Sequence, residues 1–113
     1  MLLNIVLVGA GEVGFNLSKF LSKENYNLTV IDINPLKCNR VKNTIDASVI
    51  EGDGCSQRIL QTIDFTSVDY FLALTKIDEI NLVACTIAKK MGAKNIIARL
   101  RNTEYIHSEA LVS

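Results

Sequence analysis

The sequence predicts an α/β fold in which helices cover both faces of a parallel sheet. Short apolar runs alternate with helical apolar stripes along the chain, a glycine-rich loop joins the first run to the first stripe, and no repeat or linker interrupts the alternation. With 113 residues, of which 49% are hydrophobic, the chain has the size and composition of one packed domain.

The first strand and helix show this alternation most clearly. Residues 3–8 form a near-continuous apolar run, as expected of a strand that is buried on both faces. Val13, Leu17 and Leu21 then recur at a spacing of four, with Phe20 beside them. This spacing predicts a helix with one apolar face.

The second strand and helix follow with a clear start signal. Residues 28–31 are apolar enough for a short strand, and Asn34 followed by Pro35 is typical of an N-cap with proline at the first helical position. The helix carries the apolar residues Leu36 and Val41, and we expect it to end near residue 44.

The sequence patterns that predict the remaining elements vary in clarity. Residues 48–50, 70–74 and 96–98 predict three more strands, and residues 56–63 predict a short helix. The clearest helical stripe precedes Gly92, its expected C-cap, and consists of Ile80, Val83, Ala84, Ile87, Ala88 and Met91. A further helix is expected to begin near Asn102.

This order of elements predicts a Rossmann-like, doubly wound parallel sheet with three α/β/α layers. Five strands account for residues 1–113, which we treat as a single nucleotide-binding domain. A six-stranded version needs another strand after Ser113, so we expect the natural protein to be longer.

Composition and charge exclude several classes of function. The 12 basic residues balance the 12 acidic ones, and this neutrality argues against a nucleic-acid partner. No apolar run is long enough to span a membrane, and the start of the chain lacks the pattern of a signal peptide. The three cysteines do not form a disulfide framework, so we expect a reducing, cytoplasmic environment in which they are small buried side chains.

The strongest motif is the GxGxxG loop at residues 9–14, which follows an apolar strand and opens a helix. Gly9 permits a tight turn, Gly11 allows a pyrophosphate to approach the backbone, and Gly14 lets the helix pack close to the strand. The free N–H groups at the helix start favour a phosphate. A glycine turn without a ligand is the structural alternative.

Asp32 strengthens the prediction of a dinucleotide site. It closes the second strand and follows Gly14 by 18 residues, near the spacing of the acidic residue that binds a ribose in such folds. A carboxylate there repels a 2′-phosphate and disfavours NADP. It does not distinguish NAD from ATP, ADP or AMP. Capping of the helix at Asn34 is its alternative role.

Further candidates follow the later strands, where ligands bind in open α/β sheets. Asp53 follows the third strand, Thr75 the fourth, and Arg99 and Arg101 the fifth. Asp53 could instead shape the turn between two glycines, and Thr75 could cap a helix, although Asp78 competes for that position. The arginines could pair with a phosphate or an acidic partner, or be solvated.

The sequence lacks a recognisable set of catalytic residues. The single histidine, His107, lies near the end of the chain, and neither a Tyr-xxx-Lys pair, a GxSxG motif nor metal-ligand spacing is present. Nucleotide sensing without chemistry is therefore the first hypothesis. The alternative is the cofactor-binding half of an NAD-dependent oxidoreductase whose catalytic groups lie elsewhere.

Several motifs together are similar to a known family. They are Gly-Ala-Gly-Glu-Val-Gly at 9–14, Val-Ile-Asp at 30–32, Glu-Gly-Asp-Gly at 51–54, Ala-Leu-Thr at 73–75, Asp-Glu-Ile-Asn at 78–81 and Ile-Ala-Arg at 97–99. The chain resembles the N-terminal half of RCK or KTN domains, and among them the TrkA-type subunits of bacterial potassium uptake systems. The resemblance spans nearly the whole chain.

The resemblance implies a cytoplasmic regulatory subunit that binds NAD(H) or ATP/ADP, assembles into homo-oligomeric dimers or rings, and gates a membrane-embedded potassium transporter. The cytoplasmic domain of a potassium channel is a related alternative. The residues implied to bind nucleotide are Gly9, Gly11, Glu12, Val13, Gly14, Asp32, Asp53, Thr75 and Arg99. Related ATP-binding regulators often carry an arginine in the glycine loop, whereas this chain has Glu12 and Val13, which favours NAD(H).

The loop at residues 75–81 is our candidate for the segment that responds to the bound nucleotide. Thr75, Lys76, Asp78 and Asn81 offer polar groups that could exchange hydrogen bonds there, and the loop leads into the strongest helical stripe of the chain.

Overall fold

The computed structural model describes residues 2–106, which form a five-stranded parallel sheet flanked by helices. The strands are β1 (Asn4–Val8), β2 (Asn27–Asp32), β3 (Ser48–Glu51), β4 (Tyr70–Ala73) and β5 (Ile96–Ala98), and the helices are α1 (Glu12–Lys23), α2 (Pro35–Thr44), α3 (Gln57–Leu60), α4 (Asp78–Lys90) and α5 (Thr103–Ile106). The single histidine of the chain, His107, lies outside the described range.

The strand order β3-β2-β1-β4-β5 confirms the predicted Rossmann-like topology. β1 lies at the centre and pairs in parallel with β2 on one side and β4 on the other. The order reverses at this point, because successive crossovers run outward from β1 in opposite directions. The carboxyl ends of β1 and β4 therefore open into a crevice, which is where ligands bind in such sheets.

The core consists of two apolar layers, one on each face of the sheet. Along β1, Val6 and Val8 belong to one layer, whereas Ile5 and Leu7 belong to the other. This alternation follows from the two-residue period of a strand. It explains why β1 appears in the sequence as an uninterrupted apolar run, and it confirms the three-layer arrangement.

The apolar face predicted for α1 is partly wrong. Val13 and Phe20 are 44% and 59% exposed, while the buried residues of the helix include Phe15 and Ser18. The close contact between Gly14 and the Gly9 carbonyl turns the side of α1 that carries Gly14, Phe15 and Ser18 toward the sheet. This side differs from the predicted apolar face. Spacing in the sequence identifies a helix, but this contact decides which side faces the sheet.

Helix α2 begins as predicted. The Asn34 side chain accepts hydrogen bonds from the N–H groups of Leu36 and Lys37, at 2.9 and 3.1 Å, and Pro35 occupies the first helical turn. Val41 is fully buried, but Leu36 is 76% exposed and contributes little to the core.

The segment between β3 and β4 differs from the prediction of one helix over 56–63. The helix α3 has four residues, and the Ser56 side chain caps it at the N–H of Ile59. Backbone hydrogen bonds between nearby residues form turns after α3, and the Asp64 side chain caps a 3-10 turn at Phe65–Ser67. The predicted helix ends early, because the N–H groups of Thr62 and Ile63 bond to carbonyls three residues back, those of Ile59 and Leu60, and not four residues back.

Helix α4 follows its predicted stripe except at Val83, which is 47% exposed. Gly92 has a φ of 109° and directly follows the C-cap, which confirms the expected glycine stop. No helix in the described range is long and apolar enough to cross a membrane.

All three cysteines are free thiols. Cys38 and Cys85 are buried as predicted, whereas Cys55 is only partly buried. Burial raises the pKa of the Cys85 thiol to about 11, so this group stays protonated at neutral pH.

Candidate nucleotide-binding site

A cavity of about 340 Å³ occupies the crevice at the carboxyl ends of the strands. The predicted site residues that line it are Gly9, Gly11, Glu12, Val13, Asp32, Asp53, Thr75 and Arg99. Gly14 is the one predicted residue that does not line it. The fold thus brings residues from five separate segments of the chain to one place.

Two glycines of the loop are required by the protein's own packing. Gly9 has a φ of 104°, and a Cβ there would come within 3.0 Å of the Thr75 nitrogen. A Cβ at Gly14 would collide with the carbonyl oxygen of Gly9. These glycines allow the turn after β1 and the close approach of α1, whether or not a ligand is bound.

Gly11 is different, because no protein atom requires a glycine there. Its φ of −73° suits any residue, and the nearest atom to an added Cβ is the Lys37 Nζ at 4.0 Å. Gly11 is also the N-cap of α1, where no side chain caps the helix. The first N–H groups of α1 therefore lack helical partners and lie beside open space.

Asp32 organises the rim of the cavity. One carboxylate oxygen accepts a 2.7 Å hydrogen bond from the N–H of Ala10, and the other accepts a 2.8 Å bond from the N–H of Asn34. The residue thus ties the glycine loop to the start of α2. Each oxygen can accept a further bond, so this structural role leaves acceptors for a ribose hydroxyl.

Asp53 shapes the turn after β3, as its structural alternative predicted. Its carboxylate accepts a 2.8 Å hydrogen bond from the N–H of Cys55, and the side chain is exposed at the cavity wall. Gly54 packs beneath it, where a Cβ would collide with the Val8 side chain. The turn thereby presents a carboxylate to the cavity.

Thr75 does not cap α4, and a buried asparagine holds it instead. Asn81 is completely buried, and its side-chain oxygen accepts hydrogen bonds from the N–H and hydroxyl of Thr75, at 3.0 and 2.7 Å. Its amide donates to the carbonyls of Thr75 and Arg99, at 3.0 and 2.8 Å. Asn81 therefore joins the ends of β4 and β5.

Asp78 does not cap α4 either. The residue is 8% exposed, and its carboxylate accepts hydrogen bonds from the N–H groups of Arg101 and Asn102. Because both Asp78 and Asn81 are buried and bonded to backbone, the exchange of hydrogen bonds that we predict for this loop would require these bonds to break. Lys76 and Ile77 form the exposed tip of this loop.

Three residues that line the cavity were not among the predicted site residues: Lys37, Ile33 and Ile80. A signal for Lys37 was available, because the Asn34-Pro35 start places it in the first turn of α2, beside the end of β2. Ile33 and Ile80 carry no signal for a ligand site, since Ile33 is a single apolar residue after β2 and the apolar stripe that contains Ile80 predicts packing against the sheet.

Charges around the cavity are balanced. Glu12, Asp32 and Asp53 contribute three carboxylates, and the lining also contains three cations: Lys37, Lys76 and Arg99. Residues 2–106 contain no group of three or more side chains that could hold a metal ion. This mixture suits a ligand with both hydroxyl and phosphate groups, such as a nucleotide.

The strand order, the glycine loop and the crevice cavity together define a Rossmann-like domain, a class that binds nucleotides at this position. Within that class the chain belongs to the TrkA-N domain family, whose model matches residues 5–110.

Relatives from several organisms support this membership. The chain is 38% identical over 104 residues to a Trk system potassium uptake protein TrkA homolog of Archaeoglobus fulgidus, covering 92% of this chain and 23% of that protein. It is 32% identical over 100 residues to a TrkA homolog of Pyrococcus abyssi, covering 88% of this chain and 44% of that protein. The chain thus spans less than half the length of these relatives.

Solved structures share the fold at low sequence identity. The NAD(P)-binding domain of an exopolyphosphatase-related protein from Archaeoglobus fulgidus superposes with a TM-score of 0.83 at 14% identity, covering 98% of this chain and 84% of that one. The GsuK channel superposes with a TM-score of 0.79 at 19% identity, covering 98% of this chain and 20% of the channel chain.

Proposed function

We propose that this chain is the nucleotide-sensing domain of a cytoplasmic regulator of potassium transport, and that it binds NAD(H). The observation that carries the ligand assignment is Gly11. The protein's own packing and backbone conformation permit a side chain there, so the open space over the start of α1 points to a ligand.

Each part of a nucleotide has a suitable group in the cavity. The N–H groups that begin α1 suit a pyrophosphate, and the free acceptors of Asp32 suit the hydroxyls of the adenosine ribose. Asp53 and Thr75 line the remaining walls, and Arg99 offers a cation. The repulsion between Asp32 and a 2′-phosphate disfavours NADP.

NAD(H) is favoured over ATP, ADP and AMP by the residues of the loop. Glu12 lines the cavity beside Gly11 and would repel additional phosphates that remain in the cavity, and Val13 offers only an apolar surface. Neither residue supplies the cation with which related regulators meet a terminal phosphate. The adenine nucleotides remain the alternatives to be compared directly.

The regulatory assignment is supported by the relatives, which are named as components of potassium uptake systems. We infer a membrane-embedded potassium transporter subunit as the partner, with a homo-oligomer of the regulator at the inner face of the membrane. The free energy that couples nucleotide binding to the state of the transporter would need to differ by about 1–3 kcal/mol between two nucleotides to give a useful switch.

The oxidoreductase alternative has less support. The relatives that support membership of the family are named as potassium uptake proteins and not as oxidoreductases. We therefore propose binding without chemistry.

Calorimetric titration with NAD, NADH, ATP, ADP and AMP tests the ligand assignment. We expect NADH or NAD to bind most tightly to the parent domain. Gly11→Ala should weaken binding and Gly11→Val abolish it, because the side chain fills the space over the α1 N–H groups. Both variants should keep the parental circular dichroism spectrum.

Asn39→Val is the control, because Asn39 is exposed on α2 and lies outside the cavity. Undiminished nucleotide binding by folded Gly11→Val would place the ligand elsewhere. Potassium flux through the reconstituted transporter tests regulation. Equal flux with every nucleotide and with none would contradict it, and steady oxidation of NADH with an added metabolite would favour the oxidoreductase.

A further inference from the structure

A second cavity of about 500 Å³ lies beside the first, between the glycine loop, the start of α1 and the helix α2. Three cations line it, Lys37 and Arg40 from α2 and Lys76 from the loop after β4. We call this cavity the basic groove. Ala10, Phe15 and Asn16 complete its walls together with Gly11 and Glu12.

The basic groove differs from the main cavity in its charge. In the main cavity three cations face three carboxylates, whereas the groove has three cations and a single carboxylate, that of Glu12. The excess of positive charge attracts anions.

The cations of the groove are not engaged by the protein's own acids. The ion pair found within residues 2–106 joins Lys94 to Asp69, at the opposite end of the sheet. Lys37, Arg40 and Lys76 have no carboxylate within 4.0 Å in this range. Like-charged side chains around one cavity repel each other, and an anion between them would relieve that repulsion.

Arg40 is held in a defined position. Its guanidinium carbon lies 3.7 Å from the centre of the Phe15 ring, and Phe15 is buried. Stacking on a ring fixes the plane of the guanidinium and leaves the N–H groups along its edge free. Such an arginine loses little side-chain entropy when it binds an oxyanion bidentately.

The two cavities are neighbours. Gly11, Glu12, Lys37 and Lys76 line both, so the boundary between them lies over the glycine loop. The groove is therefore adjacent to the place where the N–H groups of α1 would hold the first phosphates of a nucleotide.

We propose that the basic groove is an anion subsite that takes a phosphate group, with Arg40, Lys37 and Lys76 as its ligands. The part that concerns nucleotides rests on the proposed function. The expected source is the terminal phosphate of ADP or ATP, which lets an adenine nucleotide compete with NAD(H) although the loop has no arginine. Free inorganic phosphate offers the same chemistry.

Arg40→Gln is the sharpest test, because Arg40 lines the groove but not the main cavity. We expect its affinity for ATP to fall roughly tenfold, the loss of one charge-assisted hydrogen bond. NADH and AMP should bind as they do to the parent. Arg40→Lys should keep part of the ATP affinity, and urea unfolding would show that both variants fold.

Lys42→Gln is the matched control, since Lys42 is exposed on the same helix and lines neither cavity. Inorganic phosphate should compete with ATP on the parent and compete less on Arg40→Gln. NADPH and NADH are compared in the same way. If the parent binds NADPH more tightly than NADH and Arg40→Gln loses that difference in affinity, the subsite is supported and the 2′-phosphate is the group that occupies it.

The subsite is refuted if Arg40→Gln binds ATP and inorganic phosphate as the parent does. In that case NADH binding by both proteins would leave the proposed function standing. If the parent bound no nucleotide, the proposed function would fail. Titration with inorganic phosphate alone would then decide the groove, with Arg40-dependent binding supporting it and absent binding overturning it.

Discussion

Asn81 is the residue on which the wall of the cavity depends. It is fully buried at the start of α4 and bonds to both backbone groups of Thr75 and to the carbonyl of Arg99. These groups follow β4 and β5, where the strands have ended and ladder bonds are no longer available. A single amide side chain therefore replaces the missing part of the sheet.

We expect Asn81→Ala to lower the free energy of unfolding by about 2–4 kcal/mol, because several buried polar groups lose their partners and a small cavity opens. Urea unfolding followed by circular dichroism measures this. Asn43→Ala, at an exposed position of α2, should change stability by less than about 0.5 kcal/mol. Equal stabilities of the two variants would show that the network contributes little.

Helix α1 is positioned by a contact between one glycine and another. The α-carbon of Gly14 lies so close to the carbonyl oxygen of Gly9 that no side chain fits between them. The helix can therefore approach β1 and direct its N-terminus at the crevice. The same contact rotates the helix, which buries Phe15 and leaves Phe20 exposed.

A pair of alanine substitutions separates packing from binding in this element. We expect Gly14→Ala to destabilise the domain by about 1–3 kcal/mol, because overpacking outweighs the gain in helix propensity. Gly11→Ala, three residues earlier, meets only the flexible end of Lys37 and should leave stability nearly unchanged. Thermal unfolding of both measures the contrast, and a stable Gly14→Ala variant would be inconsistent with the close contact.

The two ends of the sheet serve different purposes in the molecule as a whole. The carboxyl end carries the cavity, whereas the amino end is closed by hydrogen bonds around Asp69. The Asp69 carboxylate accepts a 2.8 Å bond from the N–H of Asn4 and lies 3.4 Å from Lys94, and the Asn4 side chain bonds to Asn27. Three neighbouring strands are thereby joined where they begin.

This arrangement predicts a dependence of stability on pH. The hydrogen bond from Asn4, and secondarily Lys94, lower the pKa of Asp69 below its ordinary value of 3.8. A carboxyl whose pKa is lower in the folded state stabilises the fold when it is ionised. The contribution is therefore present above pH 3.8 and is lost as the pH falls through the lower folded value.

We expect Asp69→Asn to reduce stability at neutral pH and to flatten the loss of stability on acidification below about pH 4. Urea unfolding over a pH series measures both effects. Asp46→Asn, at an exposed position before β3, is the control and should retain the parental profile. Nucleotide binding at neutral pH should survive in both variants, because Asp69 lies far from the cavity in the fold. A parental acid profile in Asp69→Asn would argue against this role.

The sequence by itself determined the order of the strands and main helices, and it named eight of the residues that line the main cavity. Strand and helix periods are local properties, so residues 3–8 and the stripe before Gly92 identify their elements without a structure. The glycine loop and Asp32 follow a spacing fixed by one βαβ unit. Asn34 likewise caps α2 through bonds to residues two and three positions away.

Only the tertiary structure decided which polar groups serve the fold and which remain free. From the sequence, Asp78 and Asn81 were candidates for polar groups that respond to a ligand. In the structure both bond to backbone about 20 residues further along the chain, after β5. Arg40 gave no signal at all, yet it stacks on Phe15 and lines the basic groove. Such roles depend on contacts between segments distant in sequence, and local periodicity carries no information about those contacts.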